Sequence, residues 1–559
     1  MVENYRRRGA DFESKERFLR HCDIVSASDD SLESSGIPLD YLGDGRYAVT
    51  KDEEHTLIIG DTGSGKTRRI IVPSVYLMAA TGQSMVLSDP KGEIYQKTAS
   101  YLEKMGYDIV VINMREPRNG SRWNPLDRVW SLCRSNDEDE RDKGYIQLDG
   151  IIDMMASTVH SDKDVFWENI AKQYIRAIAM TIIEYGNEGD LTFNSIAVAE
   201  AEISSLLQQR IERRENENND EEEAEDPFLS FFSSLPPGSD IRQNFQSTAC
   251  ITGSATISSV TSVAHTMTMP YTRHSGVRYL LSGTDFSIED IGRKKTALYF
   301  ILPDETATLY PLATMLVAEI YSVLVDSAYR RGGKLDVKVN FILDEFANFP
   351  RLENISGMLT AARSRGIRFF LVCQDVDQLE YTYGTYGASI IRSNCLDWVY
   401  MRNAGFLEML ESLGGTYYER YTHESYPLIS VSDLERLEKG EVMVFCHRCS
   451  PRLCRLPDYS EVGWKDADEG EKLHPSKNRV VLPPPVDIFR IMRERKKREE
   501  SGSARERIFD YYKRVFEAGA PFEKDLERVW MELEWSKWKM LEILKESIEE
   551  RKGDQDGKM

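Results

Sequence analysis

The residues best suited to chemistry are Gly60–Thr67, which read GDTGSGKT and fit G-x-x-x-x-G-K-[ST] without a mismatch. Gly60, Gly63 and Gly65 let the backbone turn tightly, so that the loop's N–H groups, those of Asp61, Thr62 and Ser64 among them, can aim at phosphate oxygens. The helix expected to follow adds the partial positive charge of its N-terminus. Lys66 is expected to reach the β- and γ-phosphates of ATP, and the Thr67 hydroxyl to ligate Mg2+.

Such a loop needs an acidic strand end. Val337–Leu343 (VKVNFIL) runs into Asp344-Glu345. Asp344 is expected to hold Mg2+, directly or through water, and Glu345 to polarise the attacking water as general base. The alternative is an acidic pair that merely ends a strand. The next apolar run, Phe369–Cys373, ends in Gln374, whose amide can bridge a γ-phosphate and the lytic water or simply cap a strand. Between them, Thr360–Arg368 reads as a helix end with Gly366 as its cap. Arg363 and Arg365 there either enter a neighbouring subunit's site or balance the helix dipole.

Further short runs rich in β-branched residues, Met85–Leu87, Ile109–Ile112, Ala297–Leu302, Leu396–Met401 and Val442–Cys446, predict a mainly parallel sheet buried on both faces. Pro73 should kink or split the helix after the loop. Residues 144–284 carry little strand signal. Phe166, Ile170, Tyr174, Ile178 and Ile182 recur there at helical spacing, which predicts an inserted all-α domain. The expected organisation is a lead-in with one or two edge strands over 1–50, an α/β domain over 51–143 and 285–456, the insertion, and a charged helical extension over 457–559.

The 559 residues carry a formal net charge of −21, which argues against indiscriminate wrapping of nucleic acid but leaves room for a local basic channel. No run of about 18 uninterrupted apolar residues is apparent. The eight scattered cysteines make no disulfide framework, and a reducing cytoplasm fits. Cys446, His447, Cys449 and Cys454 resemble half a zinc site and are expected to bind none. Arg490–Arg498 is read as a solvated helix face, and the stripe Trp530, Trp535, Trp538, Leu541 as a face that needs a partner.

Together these segments resemble the conjugative coupling proteins of type IV secretion systems, the VirD4/TraG/TraD family. The resemblance rests on HTLIIGDTGSGKT, on LSDPKGEIY at Leu87–Tyr95, on RWNPLD at Arg122–Asp127, on VFWENIAKQYIRAI, and on FILDEFANFP with SRGI and Gln374. It implies a RecA-like P-loop ATPase that assembles as a hexamer around DNA. Such a motor drives single-stranded DNA, or a relaxase-bound strand, into a secretion channel, or alternatively uses ATP binding to gate docking of protein substrates. It also implies that Lys66 and Thr67 are the Walker A residues, Asp344 and Glu345 the Walker B pair, Gln374 the phosphate sensor and Arg363 the arginine acting in trans. Many members carry two N-terminal membrane helices and this sequence shows none. The expectation is therefore a cytoplasmic protein recruited to the inner face of the membrane by a separate membrane protein.

Overall fold

A computed structural model describes residues 7–495 apart from 30–31, 52, 158–164, 216–226, 304, 306–307, 353, 375, 404, 406, 420–422, 447–448 and 465–481. The acidic run near Glu222 and the tryptophan stripe of the tail lie outside the described residues. The chain divides into two units. The first is 1–129, 146–158 and 268–484; the second is 130–145, 159–267 and the segment from 485. The helical unit thus begins and ends before the expected limits of 144 and 284, and it takes in residues beyond 485.

The first unit is built on a nine-stranded sheet. In chain order its strands are β1 (His55–Ile59), β2 (Ser84–Asp89), β3 (Asp108–Asn113), β4 (Thr296–Ile301), β5 (Val339–Leu343), β6 (Ile367–Cys373), β7 (Cys395–Tyr400), β8 (Glu441–Phe445) and β9 (Arg452–Arg455). In space they run β9-β8-β7-β1-β6-β5-β2-β4-β3. β1 to β7 are parallel, and β8 and β9 add an antiparallel edge. Every residue of β1, β2, β4, β5 and β6 is buried, as expected of strands with helices on both faces.

The lead-in forms no edge strand of this sheet. Cys22–Ser26, Arg46–Thr50 and Pro38–Gly43 make a separate three-stranded antiparallel sheet with Arg46–Thr50 in the middle. Its hairpin turns at Gly43-Asp44-Gly45, all at positive φ. Ile37, Tyr47 and Val49 join the core that holds Val75, Tyr76 and Met78. Strands were expected here, but which sheet they join is set by contacts remote in sequence.

Pro73 does not split the helix after the loop. Thr67–Ile71 form a π-turn, with the Val72 N–H bonded back to the Thr67 carbonyl, and Val72–Ala80 continue as α-helix. The wider turn places Pro73 in the first turn of the α-helical part, where its missing N–H costs least.

Among the described residues one helix, Tyr310–Arg330, is long and apolar enough by length and composition to cross a membrane, at a mean hydropathy of 1.3. It was not apparent as an uninterrupted apolar run because Glu319 and Asp326 lie within it. It is 67% buried inside the protein, and Glu319 accepts a 2.8 Å hydrogen bond from the Trp123 indole.

In the helical unit, Tyr174, Ile178 and Ile182 of the helix Val165–Tyr185 are buried as the stripe requires. Phe166, in its first turn, is 66% exposed. In the basic run Arg490 and Arg493 are exposed, as a solvated face requires, and Arg495 departs from it: it is buried and stacks on Tyr185 and Phe231, 4.7 and 5.1 Å from their ring centres. Residues 496–498 lie outside the described residues.

Candidate nucleotide site

Four adjacent parallel strands, β1, β6, β5 and β2, bring their carboxyl ends to one edge of the sheet. At or one residue beyond those ends sit, in the same order, Gly60, Gln374, Asp344 and Asp89. Gln374, Asp344 and Asp89 line a cleft of about 310 Å³ with Asp61, Thr62, Gly63, Gly65, Lys66, Thr67 and Glu345. The sheet thus gathers residues more than 300 positions apart, because parallel pairing stacks strand ends on one side.

Backbone geometry and close contacts fix the shape of the loop. Gly63 and Gly65 adopt φ of +84° and +98°. A Cβ on Gly60 would lie 2.7 Å from the Ser64 hydroxyl oxygen, so the turn admits no side chain there. The Lys66 ammonium is buried and donates to the carbonyls of Gly60 at 2.5 Å and Asp61 at 3.2 Å. Burial lowers its pKa, and the charges of Asp344 and Glu345 oppose that shift.

Opposite the loop, burial raises the Asp344 carboxyl to about 7; Lys66 opposes the rise and Glu345 adds to it. Asp344 Oδ1 accepts from the Glu345 N–H at 3.0 Å, and its carbonyl accepts from the Ser88 hydroxyl at 2.9 Å. Glu345 holds φ +53°, a left-handed conformation that few non-glycine residues adopt and that turns the chain sharply off the strand. Its carboxylate accepts from Gln374 Nε2 at 2.8 Å and Asn348 Nδ2 at 3.2 Å. Gln374 Oε1 accepts from the Thr62 hydroxyl at 3.0 Å. Thr62, Gln374 and Glu345 therefore form one hydrogen-bonded series from the loop to the acidic pair. Asn403 fixes the base of that series by donating to the Gln374 carbonyl.

Arg363 does not join them. It sits in the turn Arg363–Arg365, ahead of Gly366 at φ +81° and the amino end of β6, at the opposite edge of the sheet. Its charge acts instead on His55 at the start of β1, whose pKa falls to about 4, chiefly through burial.

Three features of the cleft were not legible as site residues. Asp89 was one letter of a resembling stretch with no role assigned. It is fully buried; Oδ2 accepts from the Tyr95 N–H at 2.8 Å, and Oδ1 is buried with no hydrogen-bond partner. Lys439 and Asp458 also line the cleft, from segments remote in sequence. A hydroxyl at Thr67 with carboxylates at Asp344 and Asp89 is a hard-oxygen donor set, and the spare Asp89 oxygen fits an octahedral cation with its waters. Among the described residues no three of His, Cys, Asp or Glu are grouped to hold a metal unaided.

Comparisons with known proteins point to one family. Residues 10–416 match the family model described as Type IV secretory system Conjugative DNA transfer. VirD4 of Rhizobium radiobacter is 23% identical over 363 residues, covering 64% of this chain and 47% of that protein. A conjugal transfer protein TraG of Escherichia coli is 25% identical over 364 residues, covering 62% and 52%. The chain thus spans about half the length of the curated relatives it matches. Among solved structures, the plasmid coupling protein TrwB in complex with the ATP analogue ADPNP matches with a TM-score of 0.54 at 15% identity, covering 85% of this chain and 97% of that one. TrwB in complex with ADP and Mg2+ matches at 0.54 and 15%, covering 83% and 96%. At that identity the likeness establishes the fold, a RecA-like P-loop NTPase with an all-α part. With its match over residues 10–416, the chain belongs to the type IV secretory system conjugative DNA transfer family.

Proposed function

We propose that this chain is an ATP-hydrolysing coupling protein that recruits DNA and drives it into a type IV secretion channel. The observation that carries hydrolysis, beyond binding alone, is the series Thr62–Gln374–Glu345. A pocket that only held nucleotide would need the loop and a cation. This one also has a carboxylate beside the γ-phosphate position, tied to an amide that touches the loop. Mg2+ would supply charge neutralisation at the phosphates. Thr67 and Asp344 would hold it, with Lys66 on the phosphates through the loop cradle of Gly60, Asp61, Thr62, Gly63, Ser64 and Gly65. Glu345 takes the proton of the attacking water, and Gln374 reports on the γ-phosphate through its two hydrogen-bonding ends.

The cargo reading rests on the family, described by conjugative DNA transfer, and on relatives named as conjugal transfer proteins. On this reading the partners are single-stranded DNA with its relaxase, the channel, and a membrane protein that brings the chain to the inner face of the membrane.

Arg363 supports a ring. Lying at the sheet edge opposite the cleft, it can neutralise transition-state charge only in a neighbouring subunit, as a homo-hexamer provides. Arg363→Ala and Lys66→Ala chains are each expected to be inactive alone. Mixed, they should regain part of the wild-type ATPase rate, because an intact arginine then faces an intact loop in some interfaces. Absence of rescue at every mixing ratio would remove Arg363 from the site.

A further inference from the structure

Beyond the residues that match the family, the chain carries a segment folded against the phosphate-loop helix. After β9, residues 456–464 return along the first unit. Trp464 stacks on Tyr47 and packs against Tyr76, ring centres 5.8 and 5.0 Å apart. The Leu456 carbonyl accepts from Arg69 at 2.5 Å. Gly440, at φ +97°, lets this crossing form: a Cβ there would lie 3.0 Å from both the Arg69 guanidinium and the Leu456 carbonyl.

The centre of the segment grips Arg68, the residue after Thr67. Asp458 accepts from Arg68 Nε at 2.6 Å and from Nη2 at 2.7 Å, a bidentate pair. Ser460 donates to Asp458 through both its backbone N–H and its hydroxyl. The Tyr459 ring lies against the guanidinium, 4.7 Å from centre to carbon. Yet the Arg68 side chain keeps 41% of its surface exposed and lines the cleft with Asp458 and Lys439.

Strand order says which part of a nucleotide meets them. The groups for the γ-phosphate, Gln374, Asp344 and Asp89, follow β6, β5 and β2, all on one side of β1. Lys439 precedes β8 and Asp458 follows β9, on the other side of β1. Because β8 is antiparallel to β7, the start of β8 and the end of β9 both lie at the edge where the cleft opens, with Glu441 paired to Arg455. A triphosphate bound with its γ-end toward β5 must point its nucleoside toward β8 and β9.

We propose that Arg68, Lys439 and Asp458 form the nucleoside end of this site. Arg68 is the contact residue, its planar guanidinium backed by Tyr459 and open to a stacked base. Asp458 is the positioning residue that holds that plane in place. The assignment rests on Gly60–Thr67 being the ATP site.

Calorimetric titration of the full chain with ADPNP and with inorganic tripolyphosphate, both with Mg2+, tests it. Arg68→Ala and Asp458→Asn should each weaken ADPNP about tenfold and leave tripolyphosphate within about twofold. Asp458→Glu, which keeps the acceptor, should recover part of the loss. Lys66→Ala should weaken both ligands, and its failure to weaken either would count against the ATP site itself. ADPNP affinity unchanged in Asp458→Asn, or equal loss of both ligands, would overturn the proposal. Should Asp458→Asn not fold, Arg68→Lys keeps the charge without the planar fork, and the same split in affinities decides.

Discussion

Glu345→Gln is expected to reduce ATP turnover by between about 10²- and 10⁴-fold while nucleotide affinity stays within a few fold. The amide is the same size as the carboxylate and still offers an oxygen to Gln374 Nε2 and a polar end near Asn348. Loop geometry, including the left-handed backbone at this position, does not depend on the charge. What is lost is the base that takes a proton from water as it attacks. Single-turnover hydrolysis with saturating ATP measures the chemical step, and an ADPNP titration measures binding separately. A variant that hydrolyses at the wild-type rate would mean that another group activates the water.

Asp344→Asn should abolish the benefit of Mg2+ for nucleotide binding and, without nucleotide, make the protein more stable. The carboxyl is raised to about 7, first by burial and against the pull of Lys66. Its value in an unfolded chain is about 3.9. A group whose folded pKa is raised contributes stability that is complete below the unfolded value and is lost as pH climbs through the folded one. The wild-type protein thus loses stability between about pH 4 and pH 7, by at most about 4 kcal/mol, as this buried acid is forced to ionise. The asparagine variant has no such loss. Urea unfolding should give similar midpoints for both near about pH 3.5 and a difference in favour of the variant that grows to about pH 7 and then levels off. A destabilised variant at pH 8 would mean that the carboxylate is already compensated in the folded chain. On the proposed function, the charge is kept to meet a cation, at a cost in stability.

How far the sequence carried this account differs from element to element. Gly60–Thr67 and Asp344-Glu345 were legible because each is a contiguous run whose chemistry is local. Gln374 followed, since a polar residue at the end of a buried strand beside that pair has few other uses. The parallel sheet was legible from its apolar runs, whose burial on both faces leaves no alternation to read. Asp89 had no role because its distinguishing feature, an unpartnered buried oxygen, exists only once β2 is laid beside β5. Asp458 was missed for a stronger reason. A boundary drawn at 457 on composition separated it from Arg68, 390 residues away, and only the return of the chain after β9 makes the pair. The π-turn ahead of Pro73 shows the same limit on a smaller scale: the residue's constraint was legible, but not how the backbone would relieve it.

The central claim, that this site is a motor working on DNA, is tested most directly by steady-state ATP hydrolysis of the full chain across a titration of single-stranded DNA. Turnover should rise with DNA, and in Glu345→Gln it should stay at least about 10²-fold below the wild-type rate at every DNA concentration. Turnover present in the wild-type chain but indifferent to DNA would contradict it, and would leave a nucleotide-gated docking protein in place of a translocase.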